Sequence, residues 1–164
     1  MATSALNVGR FFNSHLIMAS AVQRFGSEEQ KRRYLPRFAR GELREDESFY
    51  TGQDLEGNFL TSNPLPATEE VLARGKQRYT IYCQPCHDNR GLGRGILFEY
   101  GNVPTASFHD DQRLAYPDGR IFDVITNGFG LMQSYRYPVP AKDRWAIVAW
   151  VRKMQQDRLA TAVA

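Results

Sequence analysis

Cysteine is scarce in these 164 residues: there are two, three positions apart. So few thiols exclude a disulfide framework as the source of the fold. Long apolar runs are missing too. No stretch approaches the roughly 18 consecutive apolar residues of a membrane-spanning helix. Nor is there a dense basic tract interleaved with aromatics, which argues against nucleic acid as a partner. The formal net charge is only +3, but it is unevenly spread. Residues 1–45 carry eight bases and four acids, residues 46–66 four acids and no base, and residues 67–164 thirteen bases and ten acids. Basic ends of this kind can steer docking to an acidic protein surface or to anionic lipid.

Three stretches differ in composition. Residues 1–41 read as a helical extension. Val8, Phe12 and Leu16 recur at i, i+4, as do Phe11 and His15, with Met18 and Val22 following. Gly26 breaks that pattern. Ser27 then opens a second helix, with Gln30 placed for a capping box and Glu28 and Glu29 at the positive end of the dipole. Pro36 is expected to interrupt or end it. Residues 42–66 are acidic and turn-rich, with Gly52, Gly57, Asn63, Pro64 and Pro66. They read as an extended linker with little regular structure, which Tyr50, Phe59 and Leu60 can pin to a neighbouring surface.

Residues 67–158 read as the folded domain, with 159–164 as a tail. Thr68 suits an N-cap, with Glu69 and Glu70 in the first turn. Val71, Gly75 and Tyr79 share a helical face that runs into Cys83. Glycines from Gly91 to Gly101, with Pro104, predict a loop. A short helix is expected after Pro117, using Ile121, Phe122 and Ile125 and stopped by Gly128. A loop over 128–140 follows. A last helix spans about 141–156, with Ile147, Trp150, Val151 and Met154 on or near one face. No internal repeat, low-complexity tract or strand hairpin is evident. The expected class is all-α.

The chemistry is concentrated in Cys83-Gln84-Pro85-Cys86-His87. Two thiols at this spacing can add across the two vinyl groups of haem, and the adjacent histidine then stands over the iron. Two rival readings remain. In a zinc site Cys83, Cys86 and His109 would supply three of four ligands, with His87 badly directed for the same ion. A redox dithiol would need a βαβ setting, whereas the flanking periodicity is helical. Under the haem reading, Met132 is the second axial ligand. Of the four methionines it alone lies in a Gly- and Pro-rich loop between two helices, 45 residues beyond His87. Pro104 has two readings, a carbonyl that accepts the free ring N–H of His87 or an ordinary turn proline. With both axial positions filled, electron transfer is the expected function. A haem-based sensor or small-ligand binder with a displaceable Met132 is the alternative from another class, and a thiol–disulfide oxidoreductase a third.

At these residues the chain resembles the class I cytochrome c family. It resembles more narrowly the mono-haem cytochrome c subunit of the bacterial alternative complex III. The resemblance covers about residues 39–156, through ARGELREDESFYTG (39–52), VLARGKQRYTIYCQPCH (71–87), FDVITNGFGLMQSYRYPVP (122–140) and DRWAIVAWVRKMQ (143–155). It implies haem c held by Cys83, Cys86, His87 and Met132, within a membrane quinol oxidoreductase. Electrons would pass to a terminal oxidase or soluble carrier. Gln133 departs from the proline that often follows the ligand methionine. The N-terminus lacks the family's lipoprotein cysteine. Instead, residues 15–43 resemble a helical stretch of acyl-CoA dehydrogenases, carried by FGSEEQKRRYLP and GEL, without the flavin site or catalytic base of that enzyme. Haem attachment outside the cytoplasm implies export and a peripheral place on the periplasmic side of the inner membrane. The first residues are a poor signal peptide with only Arg10 basic, although Ala19-Ser20-Ala21 resembles a cleavage site.

Overall fold

The structure is a computed structural model, and it describes residues 19–39, 42–101 and 103–163. The helical face assigned to Val8, Phe12, Leu16 and Met18, and His15 with it, lies outside these residues. The chain divides into two units, Met1–Glu47 and Ser48–Ala164.

In the first unit residues 19–25 are helical. Gly26 closes that helix, its N–H donating to the Val22 carbonyl at 2.9 Å. Helix α1 follows as Glu28–Ala39. Its capping box forms as the sequence predicts: the Ser27 N–H donates to Gln30 Oε1 at 2.8 Å, and the Gln30 N–H to Ser27 Oγ at 3.2 Å. Pro36 does not end the helix but sits within it. The missing N–H would have reached the carbonyl of Arg32. Both residues are exposed, so water can take that bond.

Helix α2, Glu42–Thr51, corrects the expectation of an irregular linker over 42–66. Its ten residues contain no Gly or Pro, and Gly52 (φ 74°) terminates it. Acidic composition reads as turn-forming, yet glutamate is a good helix former when no breaker intervenes.

The second unit is built on α3, Glu69–Tyr82, and α8, Ala141–Val163. Thr68 caps α3, its Oγ1 accepting from the Val71 N–H at 3.3 Å. The two helices cross at Gly75, where a Cβ would collide with the Ala146 backbone and lie 3.0 Å from Trp150 Cβ. That approach is open only to glycine. Arg74 locks the crossing through a forked pair of 2.8 Å bonds to Asp143. The core consists of Tyr79, Phe122, Ile125, Val139, Trp145, Ile147, Val148, Val151 and Met154.

Between the long helices lie α4 (Gln84–His87), α5 (Ile96–Gly101), α6 (Asp111–Leu114) and α7 (Asp118–Asn127). Helix α7 starts after Pro117 and stops at Gly128 (φ 81°), as expected. Helix α5 falls inside the stretch read as loop, α6 lies between that stretch and Pro117, and α8 extends to Val163. Among the described residues, the extended pairings are two isolated bridges, Gln53 with Phe59 and Phe129 with Met132.

Residues 48–66 are a strap on this core, which corrects the boundary expected at residue 67. The Leu60 N–H donates to the Gly52 carbonyl at 2.9 Å, and the Gly119 N–H to the Leu60 carbonyl at 2.8 Å. Asn63 Nδ2 donates to the Trp145 carbonyl at 2.9 Å, and Trp145 Nε1 to the Phe49 carbonyl at 2.7 Å. The strap's polar residues close its turns: Asp54 Oδ1 accepts from the N–H groups of Glu56 and Asn58 at 3.0 and 2.8 Å. Phe49 and Leu60 pack on the core. Phe59 lies against the Arg120 guanidinium, and Tyr50 is exposed.

Candidate functional site

Helix α3 delivers Cys83 as its C-cap, and the same residue begins α4, so the Cys83–His87 motif is one turn of helix set on a long, packed one. Cys83 is buried and Cys86 half-buried, and neither is in a disulfide. Burial pushes the Cys83 thiol up to about 12, with Cys86 adding to the effect. A thiol–disulfide enzyme needs the opposite, a stabilised thiolate. Among the described residues, no three His, Cys, Asp or Glu side chains gather as a metal cluster, so the zinc reading lacks its ligand set.

His87 is held from several sides. Its ring stacks on Phe108 with centroids 4.4 Å apart. Phe108 is fixed in turn by Gln155 Nε2, which donates to its carbonyl at 2.7 Å. Gly91 (φ 71°) permits this arrangement, because a Cβ there would lie 2.7 Å from the Phe108 ring. Burial holds the imidazole down to about 4, outweighing the Ala106 backbone and Asp88, which act the other way. A neutral ring with a free lone pair is the form that binds iron. Nδ1 is buried and makes no hydrogen bond of normal geometry. The backbone acting on the ring is that of Ala106, a loose approach rather than a formed bond. The bond expected from this ring to the Pro104 carbonyl is not formed, and the backbone that acts on the ring lies two residues further along the same loop.

The turn after the motif is organised by Asp88, the one non-glycine residue with positive φ (58°) among those described. Its carboxylate accepts from the N–H groups of Arg90 at 2.6 Å, Leu92 at 3.1 Å and Arg94 at 2.9 Å. Burial raises this carboxyl, but the three donors outweigh it and keep it below its usual range. The Tyr79 hydroxyl donates to the Asp88 carbonyl at 2.6 Å, tying the turn to the core of α3.

Met132 lies in the loop between α7 and α8, half-buried and packed against the core. It exchanges two 3.0 Å backbone bonds with Phe129. Ser134 Oγ donates to the Thr126 carbonyl at 2.6 Å, and the Tyr135 N–H to the Ile125 carbonyl at 2.9 Å. Tyr135 connects this loop to the motif. Its ring meets Tyr82 edge-on at 6.2 Å, and its phenol is pushed up by burial and then by the charges of Cys83 and Cys86. The Met132 loop thus packs, through Tyr135, on Tyr82, the residue before Cys83. Met154 is enclosed in the core, and Met18 lies outside the described residues. Large apolar side chains are exposed nearby in sequence, Ile96, Leu97 and Phe98 on α5 and Phe129 and Leu131 beside Met132.

Four contributors were not evident from sequence: Phe108, Tyr135, Arg120 and Arg144. Arg120 pairs with Asp123 at 2.7 Å and lies 5.2, 5.9 and 5.3 Å from the rings of Phe59, Tyr116 and Phe129. No spacing rule singles out such a residue, because its partners are scattered along the chain.

The residues present fit haem c. They supply two unpaired thiols at the attachment spacing, a buried neutral histidine with an unsatisfied ring nitrogen, and a methionine loop whose Tyr135 packs on Tyr82 beside Cys83. Residues 1–42 match the family described as acyl-CoA dehydrogenase, N-terminal domain. The curated proteins hold no match. Among solved structures, the chain is similar to a reducing HAO-like protein complex of Kuenenia stuttgartiensis. The identity is 19%, the TM-score 0.47, and the match covers 78% of this chain and 61% of that one. Residues 70–151 match the family described as cytochrome c oxidase, cbb3-type, subunit III. Since this match spans half of the 164 residues and the whole site, the chain belongs to that cytochrome c family, whose domain binds haem and carries electrons.

Proposed function

We propose that the protein is a one-electron carrier with a single haem c, joined to Cys83 and Cys86 and ligated by His87 and Met132. The observation that carries this reading is the packing of Tyr135, from the Met132 loop, on Tyr82 at the start of the attachment motif. Bound haem supplies the ferric–ferrous couple. Cys83 and Cys86 fix its place on the end of α3, and the stacked Phe108 sets the plane of His87. The Met132 thioether, a soft neutral ligand, favours the ferrous state. The apolar residues of α5 and of the Met132 loop exclude water. His87 and Met132 would together hold the group with no site left for substrate, so the chemistry it would supply is electron transfer.

The likeness of residues 39–52 and 71–155 to the alternative complex III subunit supports a finer reading. The protein accepts electrons within a membrane quinol oxidoreductase, on the periplasmic side, and passes them to an oxidase or soluble carrier. Among the described residues no helix is long and apolar enough to cross a membrane.

Co-expression with a haem-maturation system, followed by intact-mass measurement, tests the cofactor. The expected mass is the chain plus one haem, with no thiol left to alkylate. An apoprotein with two alkylatable thiols would overturn the reading. Co-purification with quinol oxidoreductase subunits tests the finer part.

A further inference from the structure

Arg144 is 4% exposed, yet no ion pair among the described residues includes it. The carboxylates of the same helices are engaged elsewhere: Asp143 by Arg74 and Arg78, Asp123 by Arg120, Asp118 by Arg152. A buried guanidinium without a counter-charge is costly and needs another reason to be retained.

Its contacts supply one. Nη1 donates to the carbonyls of Arg136 at 2.9 Å and Val139 at 3.1 Å. The guanidinium lies 5.0 Å from the Phe122 ring of α7. That ring stacks on Trp145 of α8, with centroids 4.1 Å apart. Arg144 therefore sits where α7, α8 and the end of the Met132 loop meet. Pro138 and Pro140 flank Val139 and have no N–H to donate. This end of the loop is thus poor in backbone donors, and a side chain supplies them. Nearer Met132, Ser134 and Tyr135 tie the loop to the last turn of α7. Met132 stands just before both ties, in the short stretch between Gly128, where α7 stops, and Ser134.

We propose that Arg144 is a positioning residue for the axial ligand, clamping the Met132 loop so that the thioether stays on the iron. The inference rests on the His87/Met132 ligation proposed above.

The test uses the full-length ferric holoprotein titrated with imidazole, which competes with Met132, and follows the optical band of methionine-ligated iron. Arg144→Leu removes both bonds, and Arg144→Lys keeps the charge on a shorter side chain that falls short of where Nη1 meets the two carbonyls. Arg144→Leu is expected to bind imidazole about ten-fold more tightly than wild type, equivalent to about 1.4 kcal/mol. Arg144→Lys should fall between the two, and exposed Arg158→Leu should match wild type. Met132→Ala sets the ceiling. If Met132→Ala gains no affinity, Met132 is not the ligand, and the ligation reading fails along with the clamp. If Met132→Ala gains affinity while the Arg144 variants do not, the clamp alone is refuted, even where those variants unfold more easily. Should Arg144→Leu fail to accumulate, Arg144→Lys decides: wild-type affinity there overturns the proposal.

Discussion

At the scale of single residues, Asp88 shows how a local bond set becomes a pH dependence. Its carboxylate is held below its ordinary value of 3.8 by the N–H groups of Arg94, Arg90 and Leu92, which together outweigh the opposing effect of burial. A depressed folded-state value stabilises the protein above pH 3.8, and that contribution is lost as the pH falls through the folded value. Asp88→Asn tolerates the positive φ but cannot carry the charge. It should be less stable than wild type near pH 7 by about 1 kcal/mol, the scale of a charge-assisted bond partly open to water. The difference should vanish in acid. Denaturant midpoints at both pH values measure it, and an undiminished gap at low pH would count against the carboxylate's role. Met132→Ala should retain covalent haem, because the thiols and His87 are untouched, but lose the low-spin spectrum. An unchanged spectrum would assign the ligand elsewhere. Cys83, Cys86 and His87 stood out in the sequence because the attachment proposed for them dictates their spacing. Arg144 was not, because an arginine on a helix ordinarily reads as solvated. The loop contact of His87 was missed by two residues, since Pro104 and Ala106 differ only in how that loop turns.

At the scale of elements, the crossing of α3 and α8 decides whether the attachment motif has a rigid base. Gly75 is the contact point. Gly75→Ala improves helix propensity by about 1 kcal/mol, yet it drives a methyl into the Ala146 backbone. Over-packing of this kind costs about 1–3 kcal/mol, and here backbone rather than a flexible side chain must yield. The expected net effect is destabilisation, read as a lower denaturant midpoint at unchanged slope. A stabilised variant would show that the crossing has slack. The sequence disclosed these two helices and α7 through their caps and apolar spacing. It hid α2, whose acidic residues imitate a linker, and α5 and α6, which are too short for periodicity to register. Pro36 misled for a related reason: a proline ends a helix only where the freed carbonyl has no other partner.

At the scale of the whole molecule, the point at which the cytochrome unit begins is a physical question. Composition places it at residue 67, after the last proline of the turn-rich stretch. The hydrogen bonds place it earlier, since the side chain of buried Trp145 has its polar partner in Phe49, and Asn63 bonds the Trp145 carbonyl. A chain starting at residue 67 would leave the Trp145 indole N–H without that partner and uncover the core beneath Phe49 and Leu60. An orphaned buried donor costs about 1–3 kcal/mol, and two large apolar contacts add roughly 1.5–3 kcal/mol each when fully buried. The half-burial of Phe49 and Leu60 brings the expected loss to about 3–5 kcal/mol, a large share of a small domain's stability. Residues 42–164, which keep α2 and the strap, should therefore mature with haem and unfold at nearly the full-length midpoint. Residues 67–164 should give little holoprotein, or one unfolding at a far lower denaturant concentration. Equal yield and equal midpoint for the two would show that the strap merely rests on the core, and that the boundary suggested by composition was the physical one.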